Sequence, residues 1–468
     1  MLKDVVHKIT DYGLGSSTVK GEGVHIKIGV SEVESNVPIT ITHTMEGDEI
    51  RELLGYSPLS DSIIESLNAG CSTIYAMPVK SGIDGTIKTD ASKITGTGVI
   101  EVEGKPTHAY NITVKITASG KRNEGAFKVY IENGESIEEA MIPDDGEYLI
   151  PTTGLKLKFS EGQYNVGESV QITTTKPRMN NEGVLEALSI IKDLSINFEF
   201  IHIVGESEKD LWAALSIEGD KFFDTYYKPC IFVCETRGIK ADEKLAEYMQ
   251  YLREQRQGVI SRNLQVVPAR VSYMREGVKA DINAASLIMG LHARANVQQS
   301  IGEVAVFDIT GALEILPSGI ESYISELDDL GYTTLRQYAG VEGIYVNNSR
   351  TFAKTGSDYV YTERVRTMYK AVRETRKTAL LKMHSQVDAS SETALQKSLK
   401  AITEFINVPV ERMVANKELS SARVIIPEGQ DILGEEKLRF KIRAVPIGIL
   451  REIEIDMGFE NPALIKEG

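Results

Sequence analysis

The chain has 468 residues, 42% of them hydrophobic and 25% charged, proportions that exclude a disordered protein and suit two or three globular domains. Its formal net charge of −15 argues against broad affinity for nucleic acid, which rests on neutralising many phosphates, so an anionic partner has to meet a local basic patch. No run reaches the roughly 18 apolar residues of a membrane-spanning helix, and the opening MLKDVVHKITDYG lacks the apolar centre of a signal peptide, which predicts a protein made and kept in a cytoplasm or released by lysis, with no membrane insertion of its own.

Residues 1–23 carry little core. VVHKITDY suits one strand, bearing Val5, Val6 and Ile9, and GLGSSTVKGEG a flexible link, so this stretch reads as an arm. From Val24 to residue 81 the pattern is compact: VHIKIGV and PITIT as strands, EGDEIRELLG as a short helix closed by Gly55, a second helix from Asp61, and CSTIYAMPV as a strand. The composition then shifts to the Gly/Ser/Thr-rich SGIDGTIKTDASKITGTG, and residues 82–177 alternate with period two, as at Tyr110, Ile112, Val114 and Ile116 or Leu155, Leu157 and Phe159. Turn-rich pieces such as PDDGE separate these runs, which predicts an all-β sandwich or small barrel inserted into an α/β unit.

Residues 178–342 return to alternating helix and strand, with FEFIHIVG, KPCIFVCE and NLQVVPARV as buried-strand runs, a pattern that a parallel-type sheet satisfies economically. The same reading makes Ala280–Ala295 a helix, GEVAVFDI a strand, and SGIESYISELDDLG a helix closed by Gly331. Residues 343–437 open with the strand GIYVNNSRTFA and continue, past a break at Gly356, into a long helix from about Tyr361. Val365, Met368, Tyr369, Val372, Ala379, Leu380 and Met383 share one helical face. Arg366, Lys370, Arg373 and Lys377 share a second face beside it, which reads either as a solvated face or as a basic stripe offered to an acidic partner. A further helix starts near Ser390 or Ser391. Residues 438–468 hold two alternating strands, Leu438, Phe440 and Ile442, then Ile449, Ile453, Ile455 and Met457, and a polar tail.

Motifs for chemistry are absent from the pattern. The G-x-G pieces at Gly13, Gly21 and Gly96 lack the third glycine of a dinucleotide turn, and Gly98 to Lys105 is one residue too long for a phosphate loop and is followed by Pro106. The seven histidines show no metal spacing, and Cys230 and Cys234 read as small apolar thiols on one strand rather than as ligands. The adjacent acids Asp328 and Asp329, or Asp144 and Asp145, suit turns and helix ends. The expectation is no catalytic residue, no metal and no cofactor.

Four stretches in this order resemble the contractile tail sheath proteins of bacteriophages and phage-tail-like bacteriocins. They are GVHIKIGVSEVESNVPITITHTMEGDEIRELLGYSPLSDSIIESLNAGCSTIYAMPV, then LGYTTLRQYAGVEGIYVNNSRTFA with the pair Arg350 and Thr351, then the arginine-bearing YVYTERVRTMYKAVRETRKTALLKM, and last the two C-terminal strands. One departure stands out: Asn347 and Asn348 occupy positions where that family often has Trp. The resemblance implies an α/β (α+β) multidomain fold, a tail-sheath core with the inserted β-domain and extended terminal β arms. It implies a structural subunit, not an enzyme, that polymerises helically around a tail tube and contracts to drive the tube through a cell envelope. Neighbours would be linked by strands bearing Val5, Val6, Ile9, Leu438, Phe440, Ile442, Ile449, Ile453 and Ile455, while Arg366, Lys370, Arg373 and Lys377 would face the tube. The implied partners are other copies of the chain, the tail tube protein, and baseplate and tail terminator proteins, in a virion tail or bacteriocin particle assembled in the bacterial host cytoplasm. Two other readings stay open: a hydrolase-type α/β enzyme with a β accessory domain, and a baseplate or secretion-system sheath component.

Overall fold

A computed structural model describes residues 22–132 and 137–459. The arm residues Val5, Val6 and Ile9 lie outside these. The chain divides into two compact units, Met1–Arg376 and Lys377–Gly468, and the fold is mixed α+β with inserted β elements.

The first unit is built on a six-stranded sheet in the order Leu264–Val267, Ile231–Glu235, Phe200–Glu206, His25–Val30, Thr73–Val79, Ile39–Thr42. The first five run parallel and Ile39–Thr42 pairs antiparallel at the edge. Every residue of HIKIGV and of IFVCE is buried, as a parallel sheet covered on both faces requires. The helix Pro58–Asn68 starts where it does because Ser57 accepts from the Ser60 N–H, Ser60 bonds back to Ser57, and Pro58 occupies the first turn, where no N–H is missed. The helix Asn181–Ile191 is capped in the same manner by Asn180, which accepts from Gly183. The core of this unit is one apolar cluster in which Trp212, Phe222, Phe232, Tyr248, Leu252 and Ile288 are almost fully buried.

Between Thr73–Val79 and Asn181–Ile191 stand two antiparallel sheets. One has five strands, Ile87–Asp90, Ser169–Thr174, Asn111–Ala118, Ala126–Ile131 and Ile137–Met141, and the other three, Ile100–Gly104, Leu155–Phe159 and Glu147–Ile150. Alternate residues of both point into one separate core, with Ile112, Val114, Ile116, Phe127, Leu157, Phe159 and Tyr164 at its centre. The chain enters and leaves this body side by side, where Ile83 and Arg178 exchange backbone hydrogen bonds.

Two sequence expectations need correction in this unit. Residues 280–283 belong to a hairpin of Arg270–Arg275 and Val278–Asn283, and only Ala285–Arg294 is helical. No Gly or Pro stands between Val278 and Met289, so no breaker in the sequence marks the change from strand to helix. GEVAVFDI is a series of turns with a single bridge from Asp308 to Tyr345, not a strand.

In the second unit the helix Glu392–Ala415, capped by Ser391, buries Leu399, Ile406, Val410 and Met413. The only sheet among its described residues is the two-stranded pair of Leu419–Ile425 with Lys441–Pro446. Of the residues assigned to the C-terminal strands, Ile442 lies in this ladder opposite Val424, and Leu438 and Phe440 are half-buried just before it. Ile449, Ile453 and Ile455 form no strand, because residues 447–459 have no ladder partner among the described residues.

Candidate functional site

The long helix is Thr362–Leu380, so the basic residues assigned to one face do share it. The face, however, does not point outward. Arg366 is completely buried and donates from Nε and Nη2 to the two carboxylate oxygens of Glu199 at 2.9 and 3.0 Å. Glu199, also fully buried, precedes the strand Phe200–Glu206 and accepts a third bond from the Gly23 N–H at 2.7 Å. Lys370 is nearly buried and pairs with Glu22 at 2.6 Å. Arg373 donates to the Pro229 carbonyl and lies 3.9 Å from Glu199. Burial alone would push the Glu199 carboxyl up, but the charge and hydrogen bonds of Arg366, then Arg373 and the Gly23 N–H, hold it below the usual carboxylate range.

The stripe expected on the surface is thus an internal cationic seam, and Lys377 alone of the four is exposed. The neutralising acids Glu22 and Glu199 lie far away in sequence, so a wheel drawn on the helix has no means of finding them. The helix changes character along its length: Val365 and Tyr369 are buried, whereas Leu380, Leu381 and Met383 beyond it are exposed.

A second polar row crosses the central sheet. Lys27 donates to Ser62 Oγ at 2.7 Å and to its carbonyl at 2.8 Å, and approaches His202 Nδ1 at 3.1 Å, while His202 Nε2 lies 3.0 Å from Glu235. One proton arrangement satisfies the row: a charged Lys27 donating to neutral His202, which donates from Nε2 to ionised Glu235. Burial drives the Lys27 amine down to about 8, against the pull of Cys71, Glu65 and Glu235, and burial with Lys27 drives His202 down to about 4.

A third cluster fastens the inserted β-body to the sheet layer. Asp61 on Pro58–Asn68 meets His108 of the insert at 2.9 Å, Arg275 of the hairpin at 2.5 Å and Arg51 at 3.8 Å. The His108 contact is a close approach of Nε2 to the carboxylate rather than an aligned hydrogen bond. Burial opposes ionisation of Asp61, yet His108, Arg275 and Arg51 bring it down to about 2.

Open parallel sheets bind ligands in the crevice beyond the carboxyl ends of their strands, where the strand order reverses. Here that point lies between His25–Val30 and Phe200–Glu206, and the hollow beside Val30, Val204 and Gly205 is walled by the chain's own return from the β-insert, Lys176 to Met179. Among the described residues no group of three or more His, Cys, Asp or Glu is placed to hold a metal ion. The described cysteines, Cys71, Cys230 and Cys234, are buried free thiols.

The segment that bears Asn347 and Asn348 is tied to the preceding helix. Both amides donate to Asp328 Oδ1, at 3.3 and 2.9 Å, and Arg350 approaches the other oxygen at 3.5 Å. Thr351 Oγ1 donates to the Tyr359 carbonyl at 2.6 Å. Asp328, read from sequence as a helix-end residue, therefore holds the turn where the resembled family often has Trp.

The remaining candidate is the C-terminal edge. The two-stranded sheet leaves an outer edge on each strand without a ladder partner among the described residues. After it Leu450, Ile453, Ile455, Met457 and Phe459 are each more than 70% exposed. Ile453, Ile455, Met457 and Phe459 are spaced by two, so an extended backbone would place all of them on one face and Glu452, Glu454 and Asp456 on the other.

No curated protein matches the chain. Its fold is similar to those of solved sheath structures: the helical sheath of the anti-feeding prophage in its contracted state, with a TM-score of 0.55, 12% identity and coverage of 98% of this chain and 99% of that one. The PVC sheath complex of an extracellular contractile injection system, also contracted, gives a TM-score of 0.55 at 12% identity, with 98% of both chains covered. A sheath tail protein from Desulfitobacterium hafniense is 14% identical over 95% of this chain and 100% of its own, with a TM-score of 0.49. The DUF2586 N-terminal domain matches residues 2–350 and the DUF2586 C-terminal domain residues 358–464, and the chain accordingly belongs to the DUF2586 family.

Proposed function

We propose that the chain is a structural subunit of a contractile sheath, polymerising helically around an inner tube and contracting to drive it through a target envelope. The observation that carries this reading is the C-terminal edge: a row of large apolar side chains at alternate positions, exposed and in no ladder among the described residues, directly follows a two-stranded ladder whose outer edges have no partner among those residues. An isolated two-stranded ladder is marginal in water, and each large side chain returns about 1.5–3 kcal/mol when buried. Addition of Ile449–Met457 to the ladder of a neighbouring copy meets both needs, and a contact that does not close on itself propagates as a helix. The fold likeness to the contracted anti-feeding prophage and PVC sheaths supports the same conclusion.

The N-terminal arm, residues 1–23 with Val5, Val6 and Ile9, is the second lender in this scheme. Of the four basic residues Lys377 is exposed, and we assign it the contact with an acidic tube, while Arg366, Lys370 and Arg373 pair within the subunit. The partners are other copies, the tube protein, and baseplate and terminator proteins of a virion tail or related particle. The ligand crevice walled by Lys176 to Met179 weighs against a hydrolase-type role.

Electron microscopy of the chain co-expressed with its tube protein, with and without residues 439–468, tests the proposal. The full chain gives striated cylinders and the truncated chain gives dispersed subunits. Cylinders of normal length from the truncated chain would remove the C-terminal exchange from the scheme.

A further inference from the structure

One carboxylate joins the root of the N-terminal arm to the helix that leads into the second unit. Glu199 Oε2 accepts from both the Gly23 N–H and Arg366 Nη2, so the two cannot separate without leaving a buried acceptor short of a donor. One residue earlier Glu22 pairs with Lys370 on the next turn of the same helix. The Glu199 N–H donates to the Val24 carbonyl at 2.8 Å, which fixes the backbone just before it enters the strand His25–Val30. Gly23 itself has φ +73, and a Cβ there would stand 2.5 Å from the Ala293 backbone, so the arm passes through a gap that admits only glycine.

We propose that Glu22, Gly23, Glu199, Arg366 and Lys370 form a clamp that holds the exit point of the arm and transmits tension on it to the helix Thr362–Leu380. This inference rests on the sheath reading, in which the arm and the C-terminal segment are each gripped by a different copy. Within one subunit the clamp then puts both grips on one continuous element, because that helix is the covalent entry to the second unit. A pull on the arm reaches the C-terminal link without first peeling His25–Val30 out of the sheet. The occupant of the far end of the arm is a second copy of this chain.

Glu22→Lys, Lys370→Glu and the double exchange Glu22→Lys/Lys370→Glu test the clamp, since both side chains retain some exposure and the exchange can re-form the pair. In the isolated subunit the Gly23 amide is the direct readout. Each single variant should exchange that amide about ten-fold faster or more, and the double variant should return to within about three-fold of the parent. In co-expression with tube protein, the single variants should give short or broken sheaths, and the double variant full-length ones at an unfolding midpoint close to the parent's. Normal sheaths from both single variants, or a Gly23 amide unaffected by them, overturn the clamp alone. A parent chain that never polymerises with its tube overturns the sheath reading and the transmission of tension together.

Discussion

Arg366 and Glu199, 167 residues apart, meet in a two-pronged ion pair at 2.9 and 3.0 Å with neither side chain reaching solvent. A charge buried in this way is tolerated only because its partner is fixed, and removing one member strands the other. Arg366→Ala should therefore lower unfolding free energy by about 3–5 kcal/mol, whereas Lys377→Ala, at an exposed position, should cost under about 1 kcal/mol. Urea midpoints of the two variants decide the matter. Equal, small effects would mean that the guanidinium faces water.

The cluster around Asp61 predicts a pH dependence with a definite sign. Its folded value of about 2 lies below the ordinary 3.8, so the folded state favours the ionised form. The stabilisation is present above about pH 4 and is lost as pH falls toward 2, with a size of about 2 kcal/mol. Asp61→Asn should be less stable than the parent at pH 6, and the gap should close on acidification. A gap that stays constant from pH 6 to about pH 2 would show that charge is not what fastens the β-insert.

Gly290 lies in Ala285–Arg294 with its missing Cβ 2.2 Å from the Ala69 side chain, so two helices approach there at backbone distance. Replacing a mid-helix glycine with alanine ordinarily gains about 1 kcal/mol of helix propensity. The collision should outweigh that gain, giving a net loss of up to about 2 kcal/mol after an overpacking cost of about 1–3 kcal/mol. A thermal melt showing Gly290→Ala more stable than the parent would contradict the close approach.

Ile453→Asp with Ile455→Asp should leave the subunit's unfolding midpoint within experimental error, because both side chains are more than 70% exposed. The same pair should abolish sheath formation, since two carboxylates cannot enter the apolar face of a neighbour's ladder without a large desolvation penalty. Sedimentation of the co-expressed particles reads this outcome.

Burial pushes the Cys71 thiol up to about 12 and those of Cys230 and Cys234 up as well. None of the three should react with a thiol reagent at pH 8 until the chain unfolds, and then all three should. Rapid labelling of any one in the native subunit would show a path for solvent into the sheet.

Local pattern was enough for much of the architecture. Period two with turn signals between residues 82 and 177 predicts antiparallel strands because each side chain's fate is settled by its immediate alternation, and the sheets of the insert are of that kind. The cap at Ser391 acts over three residues and marks a helix start read directly from the sequence, whereas the helix read as starting at Asp61 begins at Pro58, behind the Ser57 cap. The likeness to sheath proteins was likewise carried by the order of four stretches, and the fold agrees with it.

What the sequence by itself determined, then, is the order of most elements, because helix and strand periods, caps and turns are short-range properties, though residues 280–283 and GEVAVFDI took other forms than their pattern announced. Only the tertiary structure decided where the charges of the long helix point. Its basic face meets Glu199 and Glu22 across distances in sequence that no local rule spans, and a cationic stripe that would be solvated on an isolated helix becomes an interior seam once those acids are placed beside it. The opposite holds for Ile449–Met457: its alternation announces a strand, but a strand forms only when it pairs with an edge, and this segment pairs with none among the described residues of the chain.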